Sequence, residues 1–327
     1  MTIQRSVNTA KCEGNATILT ILGGGLWGSA LATLGRKNGH TVRIWSRQGN
    51  QSLAQAVEDA DAILIAVAMK GVQETAERLK GVALDRSTIL VSATKGLDPD
   101  TWQTPSQIWQ AQFPNHPIAV LSGPNLSKEI EQGLPAATVI ASEPDEAATD
   151  VQGLLASDSF RIYTNADRLG TELGGTLKNV VAIAVGVCDG LHLGQNARAA
   201  LITRALPEMI RVGVRLGGQR ETFYGLSGLG DLLATCTSPL SRNYQVGYQL
   251  AQGKALDEIL THLPGTAEGV NTTHVLMQLA AQHHLSVPIA QQVDRLLRGL
   301  ITPQEAVEAL MERDLKPEVQ SSPAMQT

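Results

Sequence analysis

Seven short apolar runs punctuate the first half of the chain: TILTIL, TVRIW, AILIAVA, STILVS, PIAVL, ATVIAS and FRIY, all between residue 17 and about residue 163. Polar stretches with helix-like patterning separate them, so strands and helices take turns. That alternation predicts an α/β N-terminal domain over 17–164, built on a Rossmann-like, doubly wound, mostly parallel sheet with right-handed crossovers. After about Asn165 the period changes. LGGTLKNVVAIAVGV, ARAALITRALPEMIRVGVRL, GVNTTHVLMQLAAQ and PIAQQVDRLLRGL carry apolar residues three and four apart, which predicts an all-α C-terminal domain over 165–315. Pro303 suits the first turn of a last helix, ITPQEAVEALM. Residues 1–16 and the polar, proline-bearing 316–327 are expected to be flexible ends. No uninterrupted apolar stretch approaches the roughly 20 residues of a membrane span. The longest, 180–187, stops at Asp189.

The chain has 327 residues, and at about 150 residues per domain that again gives two. Hydrophobic residues make up 43 % and charged residues 17 %, with 26 basic against 31 acidic side chains and a net charge of -5. This balance rules out a disordered chain and argues against a nucleic-acid binder. An aromatic share of 3 % also leaves little for base stacking. Three cysteines, Cys12, Cys188 and Cys236, are far apart and form no CxxC pair. Together with a first sixteen residues lacking an apolar secretory core, they point to a reduced, cytoplasmic setting. No metal site is expected, since His283 and His284 are adjacent rather than a helical turn apart.

The chemistry starts at GGGLWG. Gly23, Gly25 and Gly28 follow the first strand and open the helix LWGSALATLGRKNG, the context in which GxGxxG binds a dinucleotide. Gly23 permits the tight turn, Gly25 lets a pyrophosphate approach the backbone, and Gly28 lets helix and strand pack closely. The second strand ends in Trp45, Ser46 and Arg47, with no carboxylate for ribose hydroxyls. Arg47 can instead meet the 2′-phosphate of NADP, so NADPH is preferred over NADH. Lys95 in SATKG and Gly123 in SGPNLSKE lie just past the fourth and fifth strands, on the edge where open α/β sheets bind ligands. Lys178 is a lone charge among glycines and aliphatics, and Gly174 one turn earlier is read as clearing space for a ligand. Partial burial beside another cation would lower its pKa toward neutrality, suiting proton transfer. Asp231 follows a glycine-rich turn and either orients Lys178 or a substrate hydroxyl, or simply caps a helix. Ser241, Arg242 and Asn243 precede another helix and form a natural phosphate cradle. Solvated or snorkelling lysines remain the plainer readings of Lys95 and Lys178 taken singly.

In this order the segments ILGGGLWGSALA, SATKGL, LSGPNLSKEI, LGGTLKNVVAIAVGVCDGL, GQNARAALITRALPEM, GLSGLGDLLATCTSPLSRN and AEGVNT closely resemble bacterial NAD(P)-dependent glycerol-3-phosphate dehydrogenase over residues 17 to about 312. The resemblance implies reduction of dihydroxyacetone phosphate by NAD(P)H to sn-glycerol 3-phosphate, the backbone for phospholipid synthesis. It makes Lys178 the catalytic acid/base and brings Lys95 to both cofactor and substrate. Gly123, Asn125, Asp231, Ser241, Arg242 and Asn243 would hold the triose phosphate. Gly23, Gly25, Leu26, Trp27, Gly28, Arg47, Ser127, Arg242 and Glu268 would meet the cofactor. Three departures stand out. Only QGNQSLAQAVEDA separates Arg47 from Asp61 where the family is usually longer, which bears on the adenine side. Asn125 replaces a usual serine or threonine, and Ser127 and Ala267 stand where alanine and valine are frequent.

Two rival readings are carried: another two-domain NADP-dependent hydroxy-acid reductase, of the 6-phosphogluconate or ketopantoate type, and a non-catalytic nicotinamide sensor that binds a partner protein. No nucleic acid or integral membrane association is expected. A homodimer is allowed if the apolar faces of the helical domain are not all used internally.

Overall fold

The first apolar run forms β1 (Ile18–Leu22), and the glycines after it turn the chain into α1 (Leu26–Lys37). The structure, a computed structural model, describes residues 17–143, 145–315 and 317–318. Expectations for residues 1–16, for Cys12 and for the tail apart from 317 and 318 lie outside the described residues. Strands and helices then alternate: β2 (Thr41–Trp45), α2 (Leu53–Val57), β3 (Ala62–Ile65), α3 (Val72–Lys80), β4 (Ile89–Ser92), α4 (Pro105–Gln112), β5 (Ile118–Ser122), α5 (Ser127–Glu131), β6 (Ala136–Ser142), α6 (Asp145–Leu155) and β7 (Phe160–Asn165). They build one sheet of seven strands in the order β2-β1-β3-β4-β5-β6-β7.

Helices cover both faces, so the central strands are buried on both sides and read as unbroken apolar runs. Neighbouring residues point to opposite faces. Leu64 joins Leu19, Ile21, Leu31, Leu121 and Phe160 in one core layer, and Ile63 and Ile65 join Leu22, Met69, Leu90 and Trp109 in the other. Every strand pairing is parallel except that of β5 with β6. The connection explains the exception. A five-residue α5 is about 7 Å long and cannot return the chain along a strand of about 16 Å, so β6 runs back beside β5.

The second half is helical: α7 (Arg168–Gly190), α8 (Gly194–Arg215), α9 (Asp231–Cys236), α10 (Arg242–Ala251), α11 (Leu256–His262), α12 (Glu268–Gln282), α13 (Pro288–Leu297) and α14 (Pro303–Met311). α7 is buried almost all round, with Leu173, Val180, Ile183 and Val187 in a core shared with α8, α10, α12 and α13. By length and composition α7 is apolar enough to cross a membrane, but 89 % of its most apolar window is buried inside the protein. Its polar residues, Thr176, Lys178 and Asn179 among them, break the apolar run, and burial against the neighbouring helices accounts for its composition. Asp167 starts α7. Its Oδ1 accepts from the Gly170 amide at 2.8 Å, and its Oδ2 accepts from the Gln219 amide at 2.8 Å and the Thr222 hydroxyl at 2.6 Å.

Candidate active site

β1 lies between β2 and β3, so the chain departs to either side of it and a crevice opens beyond its carboxyl end. Gly23 turns the chain there at φ +121°, and a Cβ on it would sit 2.6 Å from the Ala66 carbonyl oxygen. Only glycine fits. Gly25 caps α1 with no side-chain hydrogen bond and no acidic residue in the first turn, and a Cβ on it would meet nothing within 4 Å. The start of α1 is thus uncapped and uncrowded at Gly25, which suits a pyrophosphate at its first-turn amides. A Cβ on buried Gly28 would overlap the Gly23 carbonyl oxygen. Trp27 donates through Nε1 to the Ala93 carbonyl at 3.1 Å, tying α1 to the chain just past β4. Leu26 is exposed at the helix start, and half-buried Ser127 opens α5.

Two lysines from different halves of the chain meet one carboxylate. Lys95, past β4, donates from Nζ to the Gly123 carbonyl at 3.2 Å and to Asp231 Oδ2 at 2.5 Å. Lys178 Nζ, from α7, lies 3.2 Å from Asp231 Oδ1 and donates to Thr235 Oγ1 at 2.6 Å. Thr235 in turn donates to Asp231 Oδ1 at 3.2 Å. Asp231 is 2 % and Lys178 7 % exposed. Burial lowers the Lys178 pKa from 10.5 to about 8; Lys95 adds to the shift and the attraction of Asp231 only partly offsets it.

The local folding explains this convergence. Residues 172, 175, 176 and 179 share one face of α7. Thr176 Oγ1 accepts from the Gly96 amide at 3.1 Å, and buried Glu172 accepts from the Ser92 hydroxyl at 3.2 Å, the Ser106 amide at 2.9 Å and the Ser106 hydroxyl at 2.5 Å. α7 is thereby docked on the end of β4, beside Lys95. Burial raises the Glu172 pKa against those hydrogen bonds. Asp231 follows a π-helical turn, Leu226–Gly230, a feature frequent at functional sites. It is the first residue of α9 and makes no capping hydrogen bond, so the plain helix-cap reading is not what the structure shows. Gly174 also needs correcting. A Cβ there would sit 2.8 Å from the Ser227 carbonyl oxygen, so the glycine makes room for the π turn rather than for a ligand.

Ser241 caps α10, accepting from the Tyr244 amide at 3.2 Å. Asn243 is buried and engaged within the protein: Nδ2 donates to Asn179 Oδ1 at 2.9 Å and Oδ1 accepts from the Gly269 amide at 2.9 Å. Arg242 is exposed, its guanidinium lying over Gly265. Glu268 opens α12 and accepts from the Met69 amide at 3.2 Å, joining the helical half to the sheet half. Burial raises its pKa; the Met69 amide, Arg242 and Lys70 oppose the shift. Gly123 stands at φ +153° against Thr138. Asn125 donates from Nδ2 to Thr138 Oγ1 at 3.0 Å, leaving its buried Oδ1 and the nearby Ser122 Oγ without partners. Such orphans suit a ligand that donates to them. Arg47 lies apart from the lysines, exposed and paired with Glu74 at 3.2 Å.

The structure thus brings Lys95, Gly123, Lys178 and Asp231 into direct contact. Thr235 belongs to the same network, while Asn179, Glu172 and Thr176 form separate hydrogen bonds that fix the surrounding elements; none of the four was singled out from sequence. For Thr235 a usable signal exists, its position one helical turn after Asp231 in DLLAT.

The family model for the C-terminus of NAD-dependent glycerol-3-phosphate dehydrogenase matches residues 167–308, and that for the N-terminus matches residues 18–52 and 48–148. The chain belongs to the NAD-dependent glycerol-3-phosphate dehydrogenase family. The two pieces of the N-terminal match meet in the short segment after Arg47. A glycerol-3-phosphate dehydrogenase [NAD(P)+] of Acaryochloris marina is 68 % identical over 304 residues, 93 % of this chain and 98 % of that one. Its counterpart in Trichormus variabilis is 63 % identical over 92 % of this chain and 98 % of its own. The crystal structure of glycerol-3-phosphate dehydrogenase from Coxiella burnetii superposes with a TM-score of 0.87 at 36 % identity, covering 91 % of this chain and 99 % of that one.

Proposed function

We propose that this member of the glycerol-3-phosphate dehydrogenase family reduces dihydroxyacetone phosphate to sn-glycerol 3-phosphate, using NADPH in preference to NADH, with Lys178 as the proton donor. The observation that carries the reading is the buried Lys178 ammonium, held by Asp231 and Thr235 beside a second lysine at the carboxyl edge of the sheet. An acid whose pKa is about 8 is charged at neutral pH yet gives up its proton readily. Lys178 delivers that proton to the oxygen that becomes the new hydroxyl. Asp231 keeps the two ammonium groups together, and Lys95 adds positive charge where the oxygen turns negative. When bound, the nicotinamide nucleotide supplies the hydride. Gly23, Gly25, Leu26, Trp27, Gly28, Arg47, Lys95, Ser127 and Glu268 would hold it. Gly123, Asn125, Ser241, Arg242 and Asn243 would hold the triose phosphate, with Arg242 supplying the charge and Asn243 keeping α10 in place.

Two outcomes test the roles. The forward reduction should slow as pH rises through about 8, because Lys178 loses its proton there, while oxidation of glycerol 3-phosphate should speed up through the same range. Rates following nicotinamide absorbance between about pH 6 and pH 10 will show both limbs. Arg242→Ala should raise KM for dihydroxyacetone phosphate about 10- to 100-fold with a smaller change in kcat, since a phosphate contact forms before the transition state. An unchanged KM would remove Arg242 from the cradle. The same assay separates the rival readings: a hydroxy-acid reductase would ignore dihydroxyacetone phosphate, and a sensor would bind nucleotide without turnover. The family match does not favour either rival.

The product would serve phospholipid synthesis in the cytoplasm. Supporting that compartment, Cys188 and Cys236 are buried and unpaired, and burial pushes the Cys236 thiol up to about 12.

A further inference from the structure

No carboxylate ends β2, where NAD enzymes usually carry one, yet the structure brings one to that spot from elsewhere. Glu74, in the first turn of α3, accepts from Arg47 through Oε2 at 3.2 Å and pairs through Oε1 with Arg78 at 2.7 Å. α3 buries Val72, Thr75, Ala76 and Leu79, which turns Glu74 and Arg78, four residues apart, outward on one row. Topology makes the position informative. Arg47 lies just past β2, and Glu74 follows β3; these strands flank β1 on either side. The ion pair therefore reaches over the end of β1, a span of about 10 Å, beside the glycine turn proposed to hold the pyrophosphate. The Gly23 amide, which donates to the Trp45 carbonyl at 2.8 Å, fixes the turn against the end of β2.

The geometry points to Glu74 and Arg78 as residues that set the choice between NADPH and NADH, Glu74 opposing the 2′-phosphate and accepting from the free 2′-hydroxyl, Arg78 joining Arg47 around the phosphate. The inference rests on the dehydrogenase reading above. A dianionic 2′-phosphate gains from two guanidinium groups and is repelled by the carboxylate between them. A 2′-hydroxyl carries no charge and gains an acceptor. Having all three groups together lets one site take either nucleotide, with a bias set by their balance.

Glu74→Gln in the full-length protein should raise the ratio of kcat/KM for NADPH to that for NADH about tenfold, and Arg78→Ala should lower it about fivefold, and the ratio of the two nucleotides' dissociation constants, titrated by nucleotide fluorescence without substrate, should move by the same factors. A general disturbance of α3 would shift both nucleotides alike and leave the ratio where it was. A ratio within about twofold of the unsubstituted protein in either variant overturns the inference while leaving the dehydrogenase reading intact. Absence of turnover with both nucleotides in the unsubstituted protein would overturn the dehydrogenase reading itself, and the inference with it.

Discussion

Replacing Lys178 with methionine is expected to lower kcat for dihydroxyacetone phosphate reduction by about 10² to 10⁴, the usual worth of general acid catalysis. The variant should stay folded. In the folded protein Lys178 titrates near 8, below its unfolded value of 10.5, so between those limits the unfolded chain binds more protons. Stability attributable to this group therefore rises as pH climbs from about 8 to 10.5, and at neutral pH the buried ammonium costs roughly 3 kcal/mol. Methionine fills the same stem volume without that charge, so the melting temperature at neutral pH should hold or increase. Lost turnover with retained melting assigns the loss to chemistry. A kcat within about threefold of the unsubstituted enzyme would remove Lys178 as the acid.

Asp231→Asn should do the opposite to stability while also slowing reduction. Two ammonium groups, Lys95 and Lys178, lean on this one carboxylate at 2.5 and 3.2 Å. Removing a buried partner of this kind typically costs about 3–5 kcal/mol, because the charge left behind is uncompensated. The melting temperature should fall accordingly. With the attraction gone and Lys95 still near, Lys178 should titrate below 8, so the falling limb of the reduction profile moves to lower pH. Turnover at neutral pH should drop by about 10² or more as the donor becomes neutral. Thermal melting and a pH–rate profile on the same preparation check both statements. An unshifted limb would mean that Asp231 does not govern the proton on Lys178.

The particular residues show why some of this was legible in the sequence. Central strands with both faces covered print their burial as apolar runs, while the edge strand β7 prints alternation in FRIY, so the seven runs coincide with β1 to β7. Direction is not printed in the same way. The reversal of β6 depends on the short span of α5, and an apolar run reads alike in either sense. Lys178 was conspicuous because its neighbours in α7 are uncharged. Thr235 was not, because its role depends on a π turn aiming α9 at α7, and a tertiary approach of that sort leaves little trace in local spacing. Gly174 misled for the same reason: a glycine records that something comes close, without saying whether it is backbone or ligand. The absence of a carboxylate at the end of β2 was legible, but the pairing of Arg47 with Glu74 was not, because it joins residues on different elements that come together only in the fold.

Asp231 and Lys178 sit on the helical half, whereas Lys95 rides on the sheet. Parting the halves would strip away the second cation and leave Lys178 with Asp231 and Thr235 alone, removing a repulsion that lowers its pKa. On the proposed reading, an opened molecule would hold that proton more tightly and hand it over more slowly, so docking of the two halves tunes the donor.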